Sequence, residues 1–258
     1  MREPAYALLG HFCWPELVTP DIEATKRFYG ALFRWEAVDL PTPTGAYTVF
    51  RVDGLDVAAA HENGSEKVLL PHWNVSVAVE NAEDAAAKVV SLGGRVLTRP
   101  MDVGGLGRKA FVQDPGGAHF GLWQSQSHFG AGLFGALNTL GWTGLDTWDM
   151  KEADAFYGGL FGWESEPEAE DRPTPEVWWL NSTRVGGLRA MSGRFDKSTP
   201  CHWMNYFVVK DCVAQARRAR AGGGEVLSGP TEILGVGRCS VVRDPAGADF
   251  AVISLLKG

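Results

Sequence analysis

Hydrophobic and polar positions along this chain switch period at regular intervals. Residues 12–19 alternate loosely and end in Thr-Pro-Asp, which predicts a strand and then a helix start with Asp21 as N-cap. Ile22, Thr25, Phe28, Tyr29, Leu32 and Phe33 then recur at three- and four-residue spacing, so a helix over about 22–34 presents one apolar face. Pro41, Pro43 and Gly45 mark a loop. Tyr47–Val52 and Leu55–His61, split by Asp53-Gly54, predict a hairpin, because Asp-Gly favours the turn that strand twist requires. A strand at about 73–80, a helix at about 82–92 stopped by Gly93-Gly94, and strands near 94–98, 108–114 and 118–123 follow. Asp114-Pro115-Gly116-Gly117 joins the last two as a tight turn.

The same order then repeats. Phe28-Tyr-Gly-Ala-Leu-Phe-Arg-Trp35 returns as Phe156-Tyr-Gly-Gly-Leu-Phe-Gly-Trp163, 128 residues later, with six of eight positions identical. Gly107-Arg108 with Asp114-Pro115 and Gly117 returns as Gly237-Arg238 with Asp244-Pro245 and Gly247 at an offset of 130. A colinear repeat of this length means two copies of one domain. The second copy reads as a strand at about 139–148, a helix at 150–162 and a hairpin at 176–190 turning at Asn181–Thr183. A strand at 202–209, a helix at 211–222 and three closing strands near 224–228, 237–243 and 248–255 complete it. The expected domains are 1–124 and 138–258. The linker 125–137 is Gly/Ser-rich but carries Phe129, Leu133 and Phe134, which suggests that it packs across both domains.

Composition narrows the function classes. At 258 residues, with 45% hydrophobic and 21% charged side chains, the chain can build two cores. A net charge of −7 gives no footprint for nucleic acid or an anionic membrane surface. No apolar run reaches the length of a signal peptide core or a membrane span. Cys13, Cys201, Cys212 and Cys239 lack CxxC spacing and do not repeat between copies, so they read as incidental buried thiols of a cytoplasmic protein. Arg217, Arg218 and Arg220 read as a solvated helix end.

Strand, Asp, a helix with FYxxLFxW, then GR…DPxG and a short closing strand resemble the vicinal oxygen chelate superfamily, which includes glyoxalase I, the extradiol dioxygenases and the bleomycin-resistance proteins. The doubled form is similar to two-domain actinobacterial members often labelled hydroxylases. The resemblance implies an α+β fold of tandem βαβββ modules, paired into two cup-shaped glyoxalase-like domains that each hold a small ligand. It also implies where metal-using members place their ligands. The first-strand position falls on Trp14 and Trp142, the second module's first strand on Asn74 and Met204, and the closing-strand Glu on Gly121 and Ala251. The fourth lies within strands 55–61 and 185–190, where His61 or Glu62 could serve in the first domain. Trp, Gly, Ala and Met supply almost no donors, so no metal is expected.

Strand alternation marks the cup walls independently. The first cup should show Trp14, Glu16, His72, Asn74, Ser76, His119 and Trp123. The second should show Trp142, Asp146, His202, Met204, Tyr206 and Asp249. Gly121 and Ala251 should open space. Trp35, Trp163, Trp73 and Trp203 fall on the opposite face and should fill the core. Aromatic walls with a few polar groups suit an aromatic or polycyclic ligand. His72 or His119 with Glu16 as partner could transfer a proton. Alternatively His72 and His202 merely pin the strand starts. A displaced Fe(II) site of His72, His119 and Glu16 is possible but disfavoured. Arg108 and Arg238 could hold an anion, and a salt bridge to a carboxylate is the plainer expectation.

The expected protein is therefore a monomer or homodimer that binds a small hydrophobic or aromatic molecule, with no nucleic-acid or membrane partner. One alternative is a hydroxylase, dioxygenase, isomerase or lyase of secondary metabolism working through shifted acid–base or Fe(II) groups. Another is a non-catalytic scaffold whose cups are filled by side chains.

Overall fold

Three of the helix starts are capped by aspartates, and Asp21 is the cap expected from the sequence. In the computed structural model, which describes residues 8–42, 45–62, 70–167, 176–193, 195–233 and 236–256, Asp21 accepts from the Ala24 amide, Asp149 from Glu152, and Asp211 from Val213 and Ala214. These side chains satisfy amides that the first helical turn cannot pair internally. The hairpin turns are equally local in origin. Asp53 and Gly54, and in the second copy Asn181 and Ser182, all take positive φ, as a turn matched to strand twist requires.

The first domain runs β1 (Phe12–Thr19), α1 (Ile22–Phe33), β2 (Glu36–Thr42), β3 (Gly45–Val52), β4 (Leu55–Glu62), β5 (His72–Ala78), α2 (Ala82–Ser91), β6 (Arg95–Asp102), β7 (Gly107–Gln113) and β8 (His119–Ser125). The second runs β9 (Leu140–Thr147), α3 (Met150–Phe161), β10 (Glu164–Pro167), β11 (Glu176–Leu180), β12 (Thr183–Ala190), β13 (His202–Val208), α4 (Cys212–Ala221), β14 (Glu225–Ile233), β15 (Gly237–Arg243) and β16 (Asp249–Leu255). Each domain is one eight-stranded sheet, in the orders β2-β3-β4-β1-β5-β8-β7-β6 and β10-β11-β12-β9-β13-β16-β15-β14. The two modules of a domain join at antiparallel β1/β5 or β9/β13, and each module closes on itself by a parallel pair, β1/β4 or β5/β8 in the first domain. This is the α+β architecture of paired βαβββ modules.

The structure corrects the reading of the edge strands. The expected loop at Pro41 is the end of β2, where Pro41 pairs with Ala46; Pro43 lies outside the described residues. An edge strand tolerates proline because one side of its backbone needs no partner. β10 is likewise an added edge strand, and β6 and β14 run past their expected ends through register shifts beside Pro100 and Pro230.

The main hydrophobic cluster runs through both domains. On α1, Tyr29 meets Phe50 and Trp73 of its own sheet, while Phe28 and Phe33 meet Phe250 and Phe207 of the other. The repeated motifs interlock here. Trp73 donates to the Tyr29 hydroxyl, which donates to Asp244 in the DPxG turn of the second domain. Trp203 donates to Tyr157, which donates to Asp114 in the first. Trp35 bonds the Asn138 carbonyl and Trp163 the Gly10 carbonyl, again across the junction. Burial raises the pKa of both carboxyls. Arg218, expected as solvated, donates to the Ala31 carbonyl at the end of α1 and so ties α4 to it.

Candidate functional site

β-strand alternation puts two kinds of surface on every strand of a sheet. In the first domain the face turned away from the core carries Trp14, Val49, Ala59, Ala78 and Trp123, which form a separate apolar cluster closed by Ala131 of the linker. Trp14 and Trp123 are 5% and 6% exposed, and both indole N–H groups are satisfied, by the Tyr47 hydroxyl and the His128 carbonyl. They form the base of the cup rather than an open wall. The expected space at Gly121 is also occupied, because a Cβ there would collide with Ser76 Oγ. In the second domain Met204, Tyr206 and Ala251 are buried together against a partly exposed Trp142.

Above the base of the first cup lies a buried ionic cluster. Glu16, on β1, is contacted by Lys109 of β7 through Oε2 and by His61 of β4 through Oε1, with His61 Nδ1 2.9 Å away. The His61 contact is out of line for a hydrogen bond, and Nδ1 has no hydrogen-bond partner. Lys109 also lies 4.5 Å above the Phe111 ring, and Tyr47 stacks near His61 at 6.2 Å and 17°. Burial drives the Lys109 pKa down to about 7. Burial also lowers His61. Cys13 is pushed up to about 12 by burial, so it is not an activated thiol.

The expected trio of Glu16, His72 and His119 does not form a bonded unit. His72 Nδ1 meets the Leu70 carbonyl at 2.7 Å and its Nε2 meets Asn74 at 3.1 Å, while His119 meets Gln113 at 2.9 Å. His202 Nδ1 meets the Pro200 carbonyl at 3.0 Å, so both strand-opening histidines pin their strand starts. Lys109 has no distinguishing signal in the sequence. It lies 93 positions from Glu16, and only the curl of the sheet brings β7 over β1. Arg108 pairs with Glu83 at the start of α2, which fits the plainer expectation.

The second cup uses a different pair. Asp146 takes both guanidinium bonds of Arg189, at 2.5 and 2.7 Å, with His202 Nε2 at 3.6 Å. Asp146 holds the Arg189 pKa still higher than usual. Asp249 pairs with Arg243 at the partly exposed sheet end. Hollows of about 580 Å3 (Phe28, Leu32, Arg218, Pro245) and 310 Å3 (Phe12, Phe129, Leu140, Trp142) lie along the domain junction.

The positions at which the resemblance implies metal ligands carry Trp14, Asn74 and Gly121, or Trp142, Met204 and Ala251. Of the candidates for the fourth, Glu62 accepts from the Ile22 amide at the α1 N-terminus and His61 faces Glu16. Among the described residues no three His, Cys, Asp or Glu side chains are grouped as ligands of one ion. This donor set does not fit a divalent metal at the family position.

Residues 8–122 match the Glyoxalase/Bleomycin resistance protein/Dioxygenase superfamily, and residues 142–253 match the Glyoxalase-like domain family. CFP32 of Mycobacterium tuberculosis, provisionally named a glyoxylase, is 38% identical over 247 residues, covering 93% of each chain. The anthracycline biosynthesis protein DnrV of Streptomyces peucetius is 34% identical over 259 residues, covering 95% of this chain and 93% of its own. Among solved structures, the Mn(II)-bound glyoxalase of Novosphingobium aromaticivorans superposes with a TM-score of 0.66 at 17% identity, over 96% of this chain and 83% of the other. The 2,3-dioxygenase LapB of Pseudomonas sp. KL28 also gives 0.66, at 13% identity over 97% and 93%. With both halves matched and relatives of more than a third identity along nearly their whole length, the chain belongs to the glyoxalase/bleomycin resistance/dioxygenase superfamily as a tandem two-domain member.

Proposed function

We propose that the protein binds a small hydrophobic or aromatic molecule in the cup of the first domain, without the divalent ion used by other superfamily members. The observation that supports this reading is an apolar base of Trp14, Val49, Ala59 and Trp123 under a half-buried layer of Tyr47, His61, Lys109 and Phe111. Aromatic and aliphatic surface with a few fixed polar groups suits a flat organic ligand, and the donor chemistry at the metal positions suits no ion. The names of two relatives point to a ligand class. DauV and DnrV, at 35% and 34% identity, are both named for anthracycline biosynthesis, whose products are polycyclic aromatics. A role in secondary metabolism follows from that likeness.

A second reading, a scaffold with filled cups, is favoured by the low exposure of Trp14 and Trp123 and by the packing of Ser76 into the space at Gly121. Calorimetric titration with a panel of polycyclic aromatics separates the two. Saturable binding is the expected result, and heats of dilution alone across the panel would favour the scaffold. Elemental analysis of protein purified without a histidine tag tests the metal statement separately. Stoichiometric Fe, Mn, Ni or Zn would overturn it.

A further inference from the structure

The Lys109 ammonium is unusual in what it leaves unused. Its side chain is 14% exposed, and it reaches from β7 in one module to Glu16 on β1 in the other. An ammonium carries three N–H donors. Among the described residues Lys109 has one hydrogen-bond acceptor, Glu16 Oε2. It also lies over the face of Phe111, which offers no directed lone pair. His61 Nδ1, on the other oxygen of Glu16, is likewise buried without a hydrogen-bond partner. Buried donors left unspent are costly unless something completes them. Water would do so in the free protein, and a ligand oxygen would do so in a complex.

The position of these donors restricts the ligand. A free carboxylate or sulfonate at this point would meet Glu16, which already neutralises Lys109, so a fully charged anion is disfavoured. A neutral acceptor is not. The surrounding surface is Tyr47, Phe111 and the imidazole of His61, which is suited to the flat face of an aromatic ring. The second cup has no equivalent. Cys239 stands in the repeat where Lys109 does, and Arg189 already gives two hydrogen bonds to Asp146.

We infer that Lys109 is the specificity-determining residue of the first cup, and that it donates a hydrogen bond to a ring carbonyl oxygen of a flat aromatic ligand, as in a quinone or aryl ketone. Glu16 holds the ammonium in place and the aromatic layer takes the ring. This deepens the binding reading above and rests on it.

The test compares two soluble probes that differ in the carbonyls alone, anthraquinone-2-sulfonate and anthracene-2-sulfonate, by calorimetric titration of the full chain. The wild-type protein is expected to bind the quinone about tenfold more tightly, the worth of one well-placed hydrogen bond. Lys109→Met leaves Glu16 buried without its partner, so the variant to use is Glu16→Gln/Lys109→Met, which removes both charges and keeps both shapes. In it the quinone should weaken to the level of the anthracene, with anthracene binding unchanged. Arg189→Met in the second cup should leave the preference intact. Equal binding of the two probes by the wild-type protein, or a preference that survives in the double variant, would overturn the role of Lys109 while leaving the cup a binding site. Absence of saturable binding by either probe would overturn the binding reading itself and this inference with it.

Discussion

The two cups descend from one repeated pattern, yet each buries its carboxylate differently. In the first, Glu16 is held by a lysine that crosses from the second module, so the ion pair spans the cup. In the second, Asp146 is held by Arg189 from the neighbouring parallel strand, where the two are register partners within one module. Lys109 is 14% exposed and Arg189 is 44% exposed. A bidentate guanidinium in partial contact with water is a finished structural pair. A buried ammonium with one acceptor is a site that a ligand can complete. Duplication preserved the framework, and single cup-facing positions diverged, with Lys109 in the first cup where Cys239 stands in the second.

The sharpest way to break this contrast is to remove one charge from each cup. Lys109→Met should destabilise the protein by about 3–5 kcal/mol in urea unfolding, because Glu16 stays buried and unpaired. Arg189→Met should cost about 1–3 kcal/mol, because Asp146 keeps His202 nearby and the lost cation was partly hydrated. Equal losses would remove the distinction between the cups.

Gly121→Ala sharpens the contrast at the cup floor. The added methyl meets Ser76, so a loss of about 1–3 kcal/mol is expected, and the accompanying Ser76→Gly change should restore much of it. The reciprocal junction sets the reference for equality. Tyr29→Phe and Tyr157→Phe each remove the donor to a buried Asp and the acceptor of a buried Trp N–H, so each should cost about 1–3 kcal/mol and the two should agree. A clear inequality in thermal unfolding would show that the junction is not as symmetric as its bonds.

The smallest expected effect is with pH. Burial lowers the pKa of His61 and His119 in the first domain and of His128 in the linker that packs on it. The unfolded chain takes up these protons near pH 6.5 and the folded chain resists them, so their contribution is intact above that value and erodes as the pH falls below it. Hydrogen exchange in β1 and β4 should therefore accelerate relative to β9 and β12 at about pH 5, after correction for intrinsic rates. Matched acceleration in both domains would assign the effect elsewhere.

Much of this molecule was legible from residue order. Asp21 marked a helix start because capping is a bond within three residues, and the Asp53-Gly54 turn was readable for the same reason. Trp73 and Trp203 were assigned to the core by parity, and the core is where they lie. The edge strands β2 and β10 were missed because an edge strand tolerates the prolines and polar residues that otherwise read as loop. At the site, Glu16 was selected by parity, but its partners were not, since His72 and His119 share its face and Lys109 carries no motif.

The sequence by itself determined the helices, the hairpin turns and the duplication. All of these depend on residue identity and on neighbours a few places apart. Only the tertiary structure decided that FYGALFRW and FYGGLFGW lock the two domains together through Tyr29–Asp244 and Tyr157–Asp114, 215 and 43 residues apart. The same holds for Lys109 and Glu16. Which buried charges meet is set by the curvature of an eight-stranded sheet and the docking of two of them, and neither is written in any local period of the chain.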